Sequence, residues 1–266
     1  MNTKKMTEIK TDCIEVPAVN EYSIRKRIKI PIILQELDLK PTDIVLDIGC
    51  GGGSLTKLIA EKGTKCVIGF DASNNNIKNA NKDKHKNKKF VVGDALSLPF
   101  KEKYFDKVLT TEIIEHIDDD SKFVSEIARV LKKGGYAVIT TPCTEPTISL
   151  KWLRKIMGID YNKILGHKRA GYTKKQLTKL IMQHNLKTVK VRYYDQFFGE
   201  LAWLATALPR ILRGKGWQTG EDLIEIHNSR TFKIYKKIFP FMIGFAKLDK
   251  LLAGLKGLHI LIKVKK

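Results

Sequence analysis

The sequence lacks the cysteine pairs that a disulfide framework or a zinc ribbon needs. Its four cysteines, at positions 13, 50, 66 and 143, form no Cys-x-x-Cys pair, which favours a reducing, cytoplasmic setting. It also lacks any apolar run of about 18 residues, so we expect no membrane-spanning helix. The first residues, MNTKKMTEIKTDC, contain no apolar core and predict no secretory signal.

Acidic residues are scarce relative to basic ones. Lys and Arg number 49 and Asp and Glu 28, which gives a net charge of +21 over 266 residues. A surplus of that size indicates an anionic partner such as nucleic acid, an acidic membrane surface or a phosphorylated substrate. A bias toward Lys and Asn, visible in the segment NNNIKNANKDKHKNKK, is the alternative explanation.

Between Asp43 and Pro142, short apolar runs rich in β-branched residues alternate with amphipathic stretches. The runs are DIVLDIGC, KCVIGFDA, KFVVGDA, FDKVLTTE and GGYAVITTP. Strands that alternate with helices predict βαβ units, a parallel sheet and right-handed crossovers. We therefore expect an α/β protein.

The first of these strands runs into a glycine-rich turn, GCGGGS, that opens a helix. Gly49, Gly51 and an acid 20 residues beyond Gly51, Asp71, partly match a dinucleotide fingerprint. Asp47 fits that ligand poorly, because a carboxylate beside a pyrophosphate is unfavourable, whereas a cationic ligand would be attracted to it. From these residues alone, a dinucleotide and an adenosyl sulfonium both remain candidates.

The order and spacing of five motifs resemble one family. LDIGCGGG, GFDAS, GDALSLPF, FDKVLTTEIIEHI and LKKGGYAVITTP are similar to the class I S-adenosylmethionine-dependent methyltransferases, in particular to the group that includes ubiquinone and menaquinone biosynthesis enzymes. The resemblance is close over about residues 40–142 and looser to Asn185. It implies a Rossmann-like, seven-stranded, mostly parallel sheet of order 3-2-1-4-5-7-6, with helices on both faces and a helical insertion before the last strand.

The resemblance also implies roles in binding S-adenosylmethionine. The loop that includes Gly49 and Gly51 backs the methionine part of the cofactor, with Asp47 near its ammonium group. Asp71 accepts hydrogen bonds from the ribose hydroxyls.

Three further residues complete the implied cofactor site. Asp94 and the backbone N–H of Ala95 read the adenine, and the backbone around Thr110 holds the ammonium end.

The motif EIIEH follows the fourth strand and offers metal-ligating groups. If it is helical, Glu112, Glu115 and His116 share one face and are candidate ligands of a divalent ion. The spacing resembles that of metal-assisted methyltransferases acting on catechols and on RNA 3′ ends, and His167 lies where the resemblance implies a further ligand. The alternative is a structural role, with Glu115 capping and His116 packed. Without a metal, His116 or His167 is a candidate general base for an O-linked acceptor.

We divide the chain into an N-terminal helical segment (1–40), a core (41–195), a helical insertion (196–257) and a final strand (258–266). The insertion has three interpretations: a substrate lid, a contact with an anionic membrane surface, or a nucleic-acid surface. Its apolar residues alternate with Arg210, Arg213, Lys215, Arg230, Lys233, Lys236, Lys237, Lys247 and Lys250.

The function expected from the resemblance is methyl transfer from S-adenosylmethionine to O or C of a small-molecule or lipid-like acceptor. An RNA methyltransferase and a non-catalytic, cofactor-binding partner subunit are the alternatives. The expected location is cytoplasmic, with attachment to the cytoplasmic face of a membrane as a variant.

Overall fold

The structure, a computed structural model, describes residues 23–82, 86–156, 167–211 and 230–266. Cys13, Arg213 and Lys215 lie outside these residues. Within them, seven strands form one sheet in the order β3-β2-β1-β4-β5-β7-β6, as the resemblance implied. The strands are β1 Ile44–Ile48, β2 Cys66–Asp71, β3 Lys88–Val92, β4 Phe105–Thr111, β5 Leu131–Pro142, β6 Lys187–Tyr194 and β7 His259–Lys265.

The first five strands are parallel, and β7 runs antiparallel to both of its neighbours. Consequently the carboxyl ends of β1 to β6 and the amino end of β7 meet at one edge of the sheet. The register shows this directly, because His259 at the start of β7 lies opposite Pro142 and Tyr194 at the ends of β5 and β6. Ligands of open α/β sheets bind at this edge.

Eight helices connect or cover the described strands, with single 3-10 turns at Ile114–His116 and Lys247–Leu252. Capping side chains mark several helix starts, as at Thr173, which accepts the N–H of Gln176 while the Gln176 side chain accepts the Thr173 N–H. The helices are α1 Ile24–Leu37, α2 Ser54–Glu61, α3 Asn74–Ala80, α4 Asp120–Val130, α5 Lys151–Ile156, α6 Lys174–Met182, α7 Phe197–Ile211 and α8 Arg230–Ala246.

Each face of the sheet carries its own apolar core. One core joins strand residues such as Leu46 and Ile139 to α4 and α6. The other joins Val45 and Leu109 to α1 and α2. The inner strands β1, β2, β4, β5 and β7 are mostly buried because helices cover both faces, which explains their apolar runs, whereas the edge strands β3 and β6 are more exposed.

The described part of the segment between β6 and β7 is mainly helical, as the sequence predicts. Its helices α7 and α8 pack with the N-terminal helix α1 in a third apolar cluster that includes Ile24, Ala202, Phe239 and Ala246. Among the described helices, none combines the length and the apolar character needed to cross a bilayer.

Candidate functional site

The glycine-rich turn lies between the end of β1 and the start of α2. Gly49 has φ +74°, and a Cβ there would lie 2.2 Å from Ile113 Cδ1, so no larger residue fits. Gly51 also has a positive φ, and a Cβ at Gly51 or Gly52 would meet no atom within 4 Å. The turn therefore packs tightly on the protein side and presents bare backbone to open space on the other.

Asp71, the last residue of β2, ties this turn to the sheet. Its Oδ2 accepts the Gly51 N–H at 2.8 Å, and its Oδ1 accepts the N–H of Ser73 at 2.9 Å and the amide of Asn76 at 3.2 Å. A carboxylate offers about four lone-pair sites. Three are used here, so Asp71 keeps acceptor capacity for a ligand hydroxyl while it shapes the loop.

Asp47 lies one strand away and is buried. The Thr56 hydroxyl donates to its Oδ2 at 2.7 Å. Burial, reinforced by the charge of Asp71 and opposed by the Thr56 hydrogen bond, raises the pKa of Asp47 to about 6. A cationic group in the turn would favour the ionised form of this carboxyl group.

Asp94 and Ala95 follow β3 at the same edge. Asp94 is exposed, and its Oδ1 accepts the Leu96 N–H at 2.9 Å. This local turn holds the carboxylate next to the Ala95 backbone and leaves Oδ2 without a hydrogen bond to the described residues. One acceptor and one neighbouring N–H donor are what the edge of an adenine needs.

Thr110 lies on β4 opposite Ile48, next to the start of the glycine turn. Its hydroxyl is buried and has no hydrogen-bond partner among the described residues. Buried polar groups in proteins are normally hydrogen-bonded, if not to the protein then to a bound water or ligand. Together with the bare turn and the remaining acceptor capacity of Asp71, this orphan hydroxyl shows that the residues present fit a nucleoside ligand with a cationic end.

The motif EIIEH does not form the helix on which its shared face depended. Glu112 has a left-handed backbone, φ +57°, and only Ile114–His116 form a short 3-10 turn. Glu112 therefore lies outside the short turn that contains Glu115 and His116. The expectation that these three residues share one helical face is therefore wrong.

The structure instead brings Glu115, His116 and His167 together. One ligand atom from each lies within 4.8 Å of the others, and the two imidazole rings meet edge to face at 4.8 Å between centroids. Glu115 is fully buried, and its Oε2 accepts the Thr141 hydroxyl at 3.0 Å while its Oε1 has no described partner. Glu115, His116 and His167 are therefore the described residues that could hold a metal ion. His167 replaces Glu112 among the three ligands proposed from the EIIEH motif.

Charge in this set is shaped by burial. Burial, then the nearby Glu112, raises the pKa of Glu115 to about 7. Burial and the neighbouring His116 lower the pKa of His167. Both shifts favour the uncharged forms, which suits a crowded, partly desolvated cluster.

Glu112 belongs to a second, buried cluster that the sequence analysis missed. Its Oε1 accepts the hydroxyls of Tyr194 at 3.0 Å and Thr140 at 3.2 Å, and its Oε2 lies 3.3 Å from Nε2 of His259. The His259 Nδ1 lies 3.4 Å from Oδ2 of Asp195. An imidazole is therefore clamped between two carboxylates at the edge of β5, β6 and β7.

Helix α1 closes this buried cluster. Arg25 Nε lies 2.9 Å from Oδ2 of Asp195, and its guanidinium lies 4.1 Å from the ring centroid of Trp203 on α7. Arg25 is therefore part of the buried cluster and not of a solvated helix face. Only the tertiary fold brings these residues together, and no local motif signals it.

The buried cluster is ionised. Burial alone would lower the pKa of His259, but Glu112 and Asp195 raise it to about 9. Burial opposes ionisation of Glu112, yet His259, Lys29 and the Tyr194 hydrogen bond hold its pKa well below the usual value. The pKa of Asp195 is lowered against burial by Arg25 and His259. The Glu112 side chain keeps 27% of its surface exposed, so one charged group of the cluster remains partly accessible.

The sheet order, the reversed last strand and the row of acids at successive strand ends define a class I methyltransferase fold. The family described as a methyltransferase domain matches residues 46–139. This match spans the glycine turn, Asp71, Asp94 and the EIIEH motif.

Two relatives carry the comparison further. The chain is 36% identical over 134 residues to a ubiquinone biosynthesis O-methyltransferase of Pelagibacter ubique, over 47% of this chain and 55% of the relative. It is 31% identical over 186 residues to a demethylmenaquinone methyltransferase of Staphylococcus saprophyticus, over 61% of this chain and 78% of the relative. The chain belongs to the S-adenosylmethionine-dependent methyltransferases, and S-adenosylmethionine is its cofactor.

A solved structure supports the fold over most of the chain. Phosphoethanolamine N-methyltransferase 2 of Haemonchus contortus, in complex with S-adenosylmethionine, superposes with a TM-score of 0.60 and 21% identity over 90% of this chain. The chain spans about half of that structure (52%) and of the Pelagibacter relative (55%).

Proposed function

We propose that the protein transfers the methyl group of S-adenosylmethionine to a small-molecule or lipid-like acceptor, at O or C. The observation that carries this proposal is the hydrogen bond from the Gly51 N–H to Asp71 at 2.8 Å. It joins the bare backbone turn and the ribose-binding acid into one preformed surface. When bound, the cofactor supplies an electrophilic methyl group on a sulfonium, so the protein mainly has to orient the acceptor and exclude water.

The cofactor roles given above to Asp47, Gly49, Gly51, Asp71, Asp94, Ala95 and Thr110 belong to this proposal. All seven lie at the carboxyl edge of β1 to β4 or in the turns that follow. Support comes from the bare backbone at Gly51 and from the orphan hydroxyl of Thr110.

The acceptor side of the cleft supports transfer with proton removal. The half-buried rings of His116 and His167 meet at 4.8 Å, close to the end of β4. In our proposal one of these imidazoles takes the proton that an O-linked acceptor loses. Of His116→Gln and His167→Gln, the variant that removes the base should lower the rate of transfer at least tenfold, and both should leave the cofactor dissociation constant unchanged.

A divalent ion at Glu115, His116 and His167 is the second candidate for this side, since their ligand atoms lie within 4.8 Å of one another. Ligand oxygens and nitrogens around one ion lie about 2.0–2.2 Å from it. Small side-chain rotations would therefore have to bring the three ligand atoms closer together around the ion. Loss of transfer in EDTA and its recovery on adding Mg²⁺ or Zn²⁺ would support the ion. Equal transfer with and without EDTA would leave the imidazoles as bases.

The names of the two relatives favour acceptors of quinone biosynthesis. The direct test compares lipid, small-molecule and RNA fractions from cells with and without the gene by untargeted mass spectrometry. We expect a lipid or small molecule that lacks one methyl group in the mutant. A change confined to RNA would identify an RNA methyltransferase. Cofactor binding without any transfer would identify a non-catalytic partner subunit.

A further inference from the structure

An apolar stripe runs along the outside of helix α8 and the 3-10 turn that follows it. We call this set the outer stripe; Phe241 and Leu251 are its most exposed members, at 79% and 78% of their surface. The members recur every three or four residues, and helical geometry places those on α8 within about 60° of one another. The outer stripe consists of Ile234, Ile238, Phe241, Phe245, Leu248 and Leu251.

Apart from Phe245, whose ring also meets Phe198 of α7 edge to face at 5.2 Å, the outer stripe is not the face that holds α8 to the protein. A different set of residues does that, including Tyr235, Phe239, Met242, Ile243 and Ala246, which pack with α1 and α7. An amphipathic helix needs one apolar face for the fold. A second one, exposed over several turns, marks an interaction surface.

Along residues 233–252, which carry the outer stripe, the exposed charges are of one sign. Between residues 233 and 252 the only acid is Asp249. That carboxylate is buried and accepts the backbone N–H groups of Gln196, Phe198 and Gly199. The exposed charges of this segment are those of Lys233, Lys236, Lys237, Lys247 and Lys250.

Two more exposed apolar side chains lie on α5, and the chain before α5 is bonded to the chain that follows the 3-10 turn. The Thr147 N–H donates to the Lys256 carbonyl at 2.9 Å, and the Lys256 N–H donates to the Thr147 hydroxyl at 3.0 Å. This link anchors the chain that leads into α5, where Trp152 and Ile156 are exposed. Trp and Phe are favoured at the boundary between lipid headgroups and acyl chains.

Charge decides between the candidate occupants of the outer stripe. A second copy would bring together two lysine-edged surfaces of a chain with net charge +21, which is unfavourable. An anionic bilayer offers an apolar interior for the stripe and negatively charged headgroups that attract the lysines. We infer that the outer stripe docks the protein, with α8 lying in the membrane plane, on an anionic lipid surface.

This inference does not depend on methyl transfer, but it suits a lipid-like acceptor. Helix α8 packs on α1 and α7, and Arg25 of α1 pairs with Asp195 beside Glu112 and His259 at the cleft. Docking would therefore hold the acceptor side of the cleft close to the lipid.

Co-sedimentation of the full-length protein with vesicles tests the inference. We expect binding to phosphatidylcholine vesicles that contain phosphatidylserine, and little binding to phosphatidylcholine alone, at physiological salt. The double change Ile238→Ser and Phe241→Ser should weaken partitioning at least tenfold. The matched control, Met182→Ser and Val189→Ser, removes two exposed apolar side chains elsewhere and should leave partitioning unchanged. Lys233→Gln with Lys237→Gln should weaken it severalfold.

Several outcomes would overturn the inference. They are no binding of the wild-type protein to the anionic vesicles, equal partitioning of the stripe variant and its control, or a dimer that the stripe variant abolishes. Calorimetric titration with S-adenosylmethionine gives an independent readout. We expect the cofactor dissociation constant of both apolar variants to match that of the wild type, which shows that they are folded. A failure of docking is thereby separated from a failure of cofactor chemistry.

Discussion

The two halves of the sheet edge are built differently. In the cofactor half, at the ends of β1, β2 and β3, acids bond to groups 2, 9 and 20 residues away along the chain. In the acceptor half, at the edge of β4 to β7, Glu112 accepts from Tyr194, 82 residues away. The cofactor half is thus a set of local turns placed side by side, whereas the acceptor half exists only once the last strand and α1 are in position.

The largest effect is expected when the imidazole of His259 is removed, which tests whether the acceptor half depends on its buried cluster. His259→Leu leaves Glu112 and Asp195 buried without the cation between them, and breaking a buried charge cluster in this way costs about 3–5 kcal/mol. Urea unfolding measures the loss. The matched control is His184→Leu on the surface, whose ring contacts only the Ser121 hydroxyl among the described hydrogen bonds, at 3.0 Å; its cost should stay below about 1 kcal/mol. A loss for His259→Leu as small as that of the control would show that the cluster does not stabilise the acceptor half.

The pH dependence of stability sharpens the same contrast. The pKa of His259 is raised to about 9 from a usual 6.5, so its contribution is complete below pH 6.5 and is lost as the pH rises through about 9. The groups that set this shift are Glu112 and Asp195, with Arg25 and Lys29 acting on those carboxylates. The free energy of unfolding should fall over that window by roughly 2–3 kcal/mol.

His259→Gln should flatten this slope, and His184→Gln should keep it. Unfolding in urea at a series of pH values measures both. A slope that survives His259→Gln would assign the pH dependence to other groups.

Asp71→Ala tests the cofactor half. It removes the acceptor of the Gly51 N–H as well as the oxygens available to ribose, so we expect at least tenfold weaker cofactor binding, about 1.4 kcal/mol. Calorimetric titration with S-adenosylmethionine measures it. Glu102→Ala, an exposed acid in the loop before β4, should bind the cofactor as the wild type does. An unchanged dissociation constant for Asp71→Ala would refute the ribose assignment.

The same contrast explains what the sequence could predict. The sequence predicts the five core strands, the glycine turn and the acids at strand ends, because each is a short motif in or next to its own strand. The sequence does not predict the position of Glu112, because its left-handed backbone and its partners Tyr194 and His259 depend on contacts far apart in the chain. A shared face for EIIEH requires a helix, and the left-handed backbone of Glu112 excludes a helix that includes all three residues.

The smallest predicted effect concerns Asp47, whose pKa burial raises to about 6. If the ammonium group of the cofactor lies near it, binding favours the ionised carboxylate and must displace a proton at low pH. Cofactor affinity should then fall as the pH drops through 6, by about fourfold at a pH near 5.5 relative to neutral pH. Asp47→Asn keeps the shape and can still accept the Thr56 hydrogen bond, so it should bind more weakly at neutral pH but lose this dependence. Affinity that falls equally with pH in Asp47→Asn would place the ammonium group away from Asp47 and make the carboxylate purely structural.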